Sequence, residues 1–199
     1  MPRTTTKAAR AKATPVVAKT TPASRTANSN VTRRRAPQRD SVVNLRGGCA
    51  CGNIRYQLTS SPLIVHACHC RDCQRITGSA FVINLWIEKK FVEPGAAQPN
   101  SFKLKGGSGH THEVFFCGTC GVYVWSRYHG APGDALFVRA GTLDNPDAVT
   151  PDVHIFTRSK LPWLNLPAGA RAFASFYTIS KVWSAESQER LRLNRAEKP

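Results

Sequence analysis

The segment Cys68-His69-Cys70-Arg71-Asp72-Cys73 concentrates three thiols in one short stretch of a 199-residue chain. Two further cysteine groups flank it: Cys49-Ala50-Cys51 lies before it and Cys117-Gly118-Thr119-Cys120 lies after it. Together the three groups hold all seven cysteines of the chain. An odd number of closely spaced thiols is a poor disulfide framework, because residues two apart on a strand project to the same side in unsuitable geometry. The pattern therefore favours metal ligation.

Zinc accounts for both the spacing and the number of these thiols. A closed structural zinc site uses four thiolates, whereas a catalytic site keeps three protein ligands and one exchangeable position. The contiguous Cys68, Cys70 and Cys73 are the natural catalytic set, which leaves a structural set of Cys49, Cys51, Cys117 and Cys120. We therefore expect two zinc ions per chain. The alternative interpretation is two structural sites, with His66 or His69 completing the second.

Short alternating apolar runs, broken by Gly, Pro, Asn and Asp, follow one another from residue 41 onward and are typical of β-strands. The predicted strands are Val42–Leu45, Ile54–Leu58, Leu63–Ala67, Phe81–Ile87, Ser101–Lys105, His112–Phe116, Val122–Trp125, Leu136–Ala140 and Val153–Thr157. Helix is predicted at Cys70–Thr77, ending at Gly78, and at Ser184–Arg195, where we expect a loosely attached charged segment. The chain thus divides into a disordered basic tail (1–40), a mainly β zinc-binding domain (41–177) and a charged, helical C-terminal extension (178–199).

The N-terminal tail carries most of the net charge of +16. Residues 1–39 contain ten Lys and Arg, no Asp or Glu, and none of Leu, Ile, Phe, Tyr or Trp. Such a segment buries too little apolar surface to offset its chain entropy, so we expect it to be disordered. Its charge suits nonspecific binding of nucleic acid, but it also fits an organelle-targeting segment, a nuclear signal at Arg33-Arg34-Arg35 or a solubilising linker.

The apolar stretches of the chain are short. The longest, Ala80–Ile87, is interrupted by Asn84 and falls far below the roughly 20 residues that cross a bilayer. The N-terminus also lacks the hydrophobic core of a signal peptide. We therefore expect a soluble protein with no membrane partner, in the reducing cytoplasm, where thiols stay available to a metal. A nuclear or organellar location directed by the basic tail is the alternative.

Motifs around the cysteines extend the pattern beyond metal ligands. They are Gly47-Gly48-Cys49-Ala50-Cys51-Gly52-Asn53-Ile54-Arg55-Tyr56, Cys68-His69-Cys70-Arg71-Asp72-Cys73-Gln74-Arg75, Gly78-Ser79-Ala80-Phe81, Phe116-Cys117-Gly118-Thr119-Cys120-Gly121, Gly141-Thr142-Leu143-Asp144, His154-Ile155-Phe156 and Leu161-Pro162-Trp163. In this order the chain resembles the family of glutathione-dependent formaldehyde-activating enzymes, which also includes centromere protein V. The resemblance covers about residues 41–177 and implies a mainly β, two-zinc fold of the Mss4-like type.

The resemblance also implies an activity. The family's zinc ligands, carried over position by position, give the same division into four structural and three catalytic cysteines. The activity implied is that of a carbon–sulfur lyase acting in reverse: glutathione, its thiolate activated on the open three-cysteine zinc, adds to formaldehyde and gives S-hydroxymethylglutathione. Candidate substrate-binding residues are His69, Arg71, Phe81, His154 and Trp163, and candidate partners for the carboxylates of glutathione are Arg71, Arg75, Arg127, Arg158 and Lys160.

Two other functions fit the same sequence. One is related lyase chemistry on another thiol adduct, because ligand residues do not fix the substrate. The other is a non-enzymatic zinc protein that associates with nucleic acid or chromatin through the basic tail.

Overall fold

Two β-sheets form the body of the protein in the computed structural model, which describes residues 45–196. The strands are β1 Leu45–Gly48, β2 Arg55–Leu58, β3 Ile64–Cys68, β4 Val82–Glu88, β5 Val92–Pro94, β6 Asn100–Lys105, β7 Thr111–Phe116, β8 Tyr123–Tyr128, β9 Ala135–Arg139 and β10 Val153–Ile155. The smaller sheet is antiparallel, in the order β1-β2-β5. The larger sheet has the order β10-β3-β4-β9-β8-β7-β6, and only its β10–β3 pair is parallel. The prediction of a mainly β fold is confirmed.

Each predicted strand has a counterpart in the structure, and one observed strand was missed. Residues 42–44 of the first predicted strand, like the basic tail, lie outside the described residues. The missed strand is β5, which spans only three residues and ends in a proline. A run this short carries no readable alternation, and it is extended because its backbone pairs with Tyr56, Gln57 and Leu58 of β2.

Strand β4 lies between two apolar cores. Its successive side chains point to opposite faces of the sheet, as in any strand. Leu85 and Ile87 enter a core shared with the smaller sheet. Trp86 points the other way, into a second core that includes Trp183 and Leu191 from the C-terminal region. Burial on both faces explains why β4 is apolar over most of its length rather than strictly alternating.

Three α-helices accompany the sheets in the described part of the chain. They are α1 Arg71–Thr77, α2 Ile179–Val182 and α3 Ala185–Ala196. Helix α1 ends at Gly78, whose φ of 63° lies in the left-handed region that glycine enters without strain. Helix α3 begins after Ser184, whose Oγ accepts the N–H of Ser187 at 3.1 Å, the usual role of an N-cap serine. Both predicted helices are therefore present, and none of the three is long and apolar enough to span a bilayer.

The expected loose attachment of the C-terminal helix is wrong. Arg190 of α3 donates from Nε and Nη2 to the two carboxylate oxygens of Glu88, at 2.9 and 2.7 Å. Glu88 is only 1% exposed, so its carboxylate is buried while Arg190 reaches it from a half-buried position. Ser187 adds a hydrogen bond from its Oγ to the carbonyl oxygen of Leu63, at 2.8 Å. Composition alone suggests a solvated helix, but these long-range polar contacts fix α3 to the larger sheet.

Candidate metal centres

Four cysteines from two hairpin turns form the first sulfur cluster. Cys49 and Cys51 follow β1, Cys117 and Cys120 follow β7, and their four Sγ atoms lie within 4.8 Å of one another. The two turns share one geometry, because the first cysteine of each receives a backbone hydrogen bond at its carbonyl oxygen from the glycine that ends the turn. Gly52 and Gly121 adopt φ values of 79° and 72°, which require glycine. The sequence repeat of cysteine turn and glycine thus produces two matching halves of one cluster.

The sulfur spacing in this cluster fits a tetrahedral zinc ion. The Sγ atoms of Cys49 and Cys51 are 3.5 Å apart, and those of Cys51 and Cys117 are 3.7 Å apart. Four sulfurs at the usual zinc–sulfur distance form a tetrahedron with edges of about 3.8 Å. These separations are also far beyond a disulfide bond, and all four cysteines are free. Backbone N–H groups of Ile54 and Thr119 donate to the sulfurs of Cys49 and Cys117, which favours thiolate ligands.

The second cluster contains Cys68, Cys70 and Cys73, whose Sγ atoms again lie within 4.8 Å of one another. Cys68 ends β3, Cys70 is the N-cap of α1, and Cys73 lies in the first turn of that helix. The Cys70 sulfur accepts the N–H of Cys73 at 3.4 Å. Hydrogen bonds from Cys68 and then Cys73 hold the pKa of Cys70 well below its usual value, while the same contacts raise the pKa of Cys68. The cluster thus combines one strongly acidic thiol with two neighbouring sulfurs, which is a suitable donor set for one zinc ion.

No histidine nitrogen or carboxylate oxygen among residues 45–196 joins either sulfur cluster. This bears on the alternative in which His66 or His69 completes a second structural site. The Nε2 of His66 contacts the hydroxyl of Tyr177 at 2.5 Å, and the Nε2 of His69 contacts the Nδ1 of His154 at 3.1 Å. Both rings are therefore engaged away from the sulfurs, and the second cluster has three protein ligands available.

His66, in the middle of β3, is held by a contact with the C-terminal region. Trp183 donates its indole N–H to the Tyr177 hydroxyl at 2.7 Å, so that hydroxyl is left to donate its own proton to His66. Burial lowers the pKa of His66 to about 3, which keeps the imidazole neutral and able to accept. No local sequence pattern predicts this contact, because Tyr177 lies 111 residues further along the chain.

A cavity of about 580 Å³ adjoins His69 and contains three of the predicted substrate-binding residues. His69, Phe81 and His154 all line it. The His69 ring stacks on the His154 ring at a centroid distance of 5.4 Å and lies tilted against the Phe81 ring at 5.2 Å. The Nδ1 of His69 is buried and has no hydrogen-bond partner among the described residues. Burial lowers the pKa of both histidines, so both are neutral near pH 7.

The other two predicted substrate-binding residues lie elsewhere. Arg71 is exposed on α1 and donates to Oε1 of Gln74 at 2.6 Å. Trp163 is 68% exposed on a loop. Neither lines the cavity beside His69.

A second cavity, of about 500 Å³, contains a charged residue that the sequence analysis did not select. Arg139, the last residue of β9, lines it together with Tyr123, Thr77 and Ser79. Phe81 and Ile83 line both cavities, so the two are neighbours. The available signal is an arginine inside the apolar run 136–140, two residues before the Gly141-Thr142-Leu143-Asp144 motif.

Comparison with known proteins identifies one family. The model of the family described as glutathione-dependent formaldehyde-activating enzyme matches residues 44–159, more than half of the chain. A crystal structure of a Rhodobacter sphaeroides protein matches at 24% identity and a TM-score of 0.39, over 53% of this chain and 91% of that one. No curated protein matches significantly. On the strength of the family match, this chain belongs to the glutathione-dependent formaldehyde-activating enzyme family.

Proposed function

We propose that this protein is a zinc-dependent carbon–sulfur lyase working in the synthetic direction, which adds the thiol of glutathione to formaldehyde. The observation that carries the proposal is the separate cluster of Cys68, Cys70 and Cys73, which has three sulfur ligands and no fourth among the described residues. When bound there, zinc would keep a substrate thiol deprotonated at neutral pH. The other four cysteines are proposed to hold a structural ion, giving two zinc ions per chain.

The reaction needs one new bond and one proton transfer. The sulfur of glutathione bonds to the carbonyl carbon of formaldehyde, and the π-electron pair of the C=O group moves onto oxygen. The proton that leaves the thiol ends on that oxygen, which gives S-hydroxymethylglutathione. Atoms and electrons balance without an oxidant or reductant, so the protein must supply only a site for the sulfur, a route for the proton and a pocket for the rest of the peptide.

The proposed route for the proton is the pair His69 and His154. Both imidazoles are neutral near pH 7 because burial lowers their pKa values. A neutral imidazole accepts at one nitrogen and donates at the other, so the contact between Nε2 of His69 and Nδ1 of His154 joins the two rings into one relay. The unpartnered Nδ1 of His69 supports this role, because a buried nitrogen without a protein partner is satisfied by a substrate or a solvent molecule.

The proposed pocket for the peptide is the cavity beside His69. Its volume of about 580 Å³ lies in the range of small-molecule sites. Phe81 packs against His69, and residues 164–170 also line the cavity. We propose that Phe81 excludes water from the reacting atoms and that His154 contacts the substrate.

The experiment is a measurement of exchange between free formaldehyde and its glutathione adduct by NMR, because the uncatalysed reaction also proceeds. Zinc-loaded protein is expected to accelerate exchange, and Cys70→Ser is expected to abolish the acceleration. Ser108→Ala, in the exposed β6–β7 loop, is the matched control and should behave as wild type. Equal rates for wild type, Cys70→Ser and buffer would refute the proposed reaction. Acceleration of a different thiol but not of glutathione would instead favour lyase chemistry on another adduct.

A reducing location is part of the proposal, and the cytoplasm is the compartment we favour. It is supported by seven free cysteines, five of which are buried or half-buried within the two clusters. The basic tail lies outside the described residues, so no structural contact bears on nucleic acid or on nuclear or organellar transport. A salt titration of DNA binding, comparing the full chain with a chain that starts at Asp40, tests the tail directly.

A further inference from the structure

Arg139 carries a buried charge that no carboxylate within residues 45–196 neutralises. Arg139 is only 5% exposed, and it takes part in none of the ion pairs found in this part of the chain. Nη1 donates to the side-chain oxygen of Asn84, and the guanidinium carbon lies 3.9 Å from the centroid of the Tyr123 ring. Nε is buried without a hydrogen-bond partner.

The contrast with Arg190 shows what Arg139 lacks. Arg190 meets the buried carboxylate of Glu88 with two parallel hydrogen bonds, the arrangement that best offsets the loss of hydration. Arg139 has an amide oxygen and an aromatic face instead, which compensate a charge only in part. Its positive charge also acts on His112. Burial is the main reason why the pKa of His112 is lowered to about 4, and the charge of Arg139 is the second. An anion on the Nε edge would complete the site.

The second cavity gives such an anion a place. It holds about 500 Å³, and no acidic residue lines it. Thr77 and Ser79 line it at the end of α1, the helix that carries Cys73 of the three-thiol cluster, and their hydroxyls already donate to the carbonyl oxygens of Cys73 and Phe81. The cavity therefore reaches from that helix to the buried guanidinium. Because Phe81 and Ile83 line both cavities, a peptide held in the cavity beside His69 can place one of its terminal groups in this second cavity.

We infer that Arg139 binds a carboxylate of the thiol substrate in the second cavity. This inference rests on the proposed function, because that function supplies a thiol that carries carboxylates. Glutathione has two carboxylates, and the free Nε edge of an arginine pairs side-on with such a group. Arg139 then selects for acidic thiols, and the protein discriminates against neutral thiols of similar size.

The test measures selectivity for charge by calorimetric binding. Zinc-loaded wild type is titrated with glutathione and with its diethyl ester, which keeps the thiol but lacks both carboxylates. Wild type is expected to bind glutathione about 10- to 100-fold more tightly than the ester, the range of a hydrogen-bonded pair with a charged group. Arg139→Met should bring the two affinities within about threefold by weakening glutathione alone, since the ester has no carboxylate to lose.

Two further variants separate this role from general effects. Arg139→Lys keeps the charge but not the two-pronged geometry, so it should retain only part of the preference. Arg192→Gln removes one charge from the exposed Arg192–Glu189 pair on α3 and should leave the preference unchanged. Arg139→Met should keep the melting temperature and zinc content of wild type, because it removes an unpaired buried charge. If that variant does not fold, Arg139→Lys decides: an unchanged preference overturns the inference and a reduced one supports it.

The outcomes distinguish this inference from the proposed reaction. An unchanged preference in Arg139→Met, or equal weakening of both thiols, overturns the role of Arg139 even if formaldehyde exchange is accelerated. A preference that depends on Arg139 in a protein that does not accelerate exchange supports the binding site and overturns only the reaction. Binding of neither thiol by wild type overturns both.

Discussion

Losing one thiol from the four-cysteine cluster should cost more stability than losing one from the three-cysteine cluster. The perturbations are Cys117→Ser and Cys70→Ser in zinc-loaded protein. Cys51 and Cys117 are 66 residues apart, so an ion that holds both closes a long loop. Cys68 and Cys73 are five residues apart (73 − 68), so the second cluster closes a short one.

The entropy of loop closure sets the size of this difference. For a cross-link it grows as 1.5R ln n, which gives about 4 kcal/mol for the long loop and about 2 kcal/mol for the short one. In a domain of this size 1 kcal/mol corresponds to roughly 2–4 °C of melting temperature, so Cys117→Ser should lower it by about 8–16 °C and Cys70→Ser by about half as much. Serine also remains a good N-cap at position 70, so α1 should keep its start.

The assay pairs thermal melting, followed by circular dichroism, with zinc released per chain after denaturation. Wild type should release one ion for each of the two sulfur clusters, and Cys70→Ser should release one ion from a folded protein. Cys117→Ser should melt at the lower temperature and lose the ion of its own cluster. Equal melting temperatures for the two variants, or a Cys117→Ser protein with the zinc content and stability of wild type, would refute the division into a structural and an open site.

Three further predictions concern the C-terminal helix, the pocket and acid stability. Arg190→Met should lower the free energy of unfolding by about 3–5 kcal/mol, because it leaves the buried Glu88 carboxylate without its cationic partner. Denaturant unfolding measures this loss, and a value below about 1 kcal/mol would contradict the attachment of α3 to the larger sheet. Phe81→Ala should lower kcat/KM for adduct formation at least tenfold. Trp163→Ala, at an exposed position outside the cavity, should leave kcat/KM within twofold of wild type. Equal effects of the two substitutions would argue against the proposed pocket. His112 has a pKa lowered to about 4, chiefly by burial, against about 6.5 when unfolded, so its contribution to stability is complete above pH 6.5 and is lost as the pH falls toward 4. His112→Gln should therefore flatten the fall in melting temperature over that range, and an unchanged slope would exclude this cause.

The proposed active site depends on one unusual strand pairing. Strand β10 runs parallel to β3, and in this register Ile155 lies opposite Cys68 and His154 opposite Ala67. This pairing carries His154 to the His69 ring, 85 residues earlier in the chain. A parallel pair needs a long connection, and here β4 to β9 lie within that connection. Local sequence contains no signal for such a register.

The individual cysteine turns and the strand pattern follow from the sequence because their causes are local. Thiols two and three residues apart reach one ion in any turn of suitable shape, and Gly52 and Gly121 permit that turn. Alternating apolar residues identify most strands, and Gly78 and Ser184 mark the ends of helices at their predicted places. These features depend on the backbone preferences of neighbouring residues, which the sequence states directly.

Only the tertiary structure decided which polar groups are buried and what they meet. Arg190 is one of several arginines in a charged helix until Glu88 is placed beneath it. Arg139 is the last residue of a strand until Asn84 and Tyr123 enclose its guanidinium and leave it without an acid. The free energy of a buried charge depends on the partners that packing brings from distant parts of the chain, and a linear pattern does not contain that information.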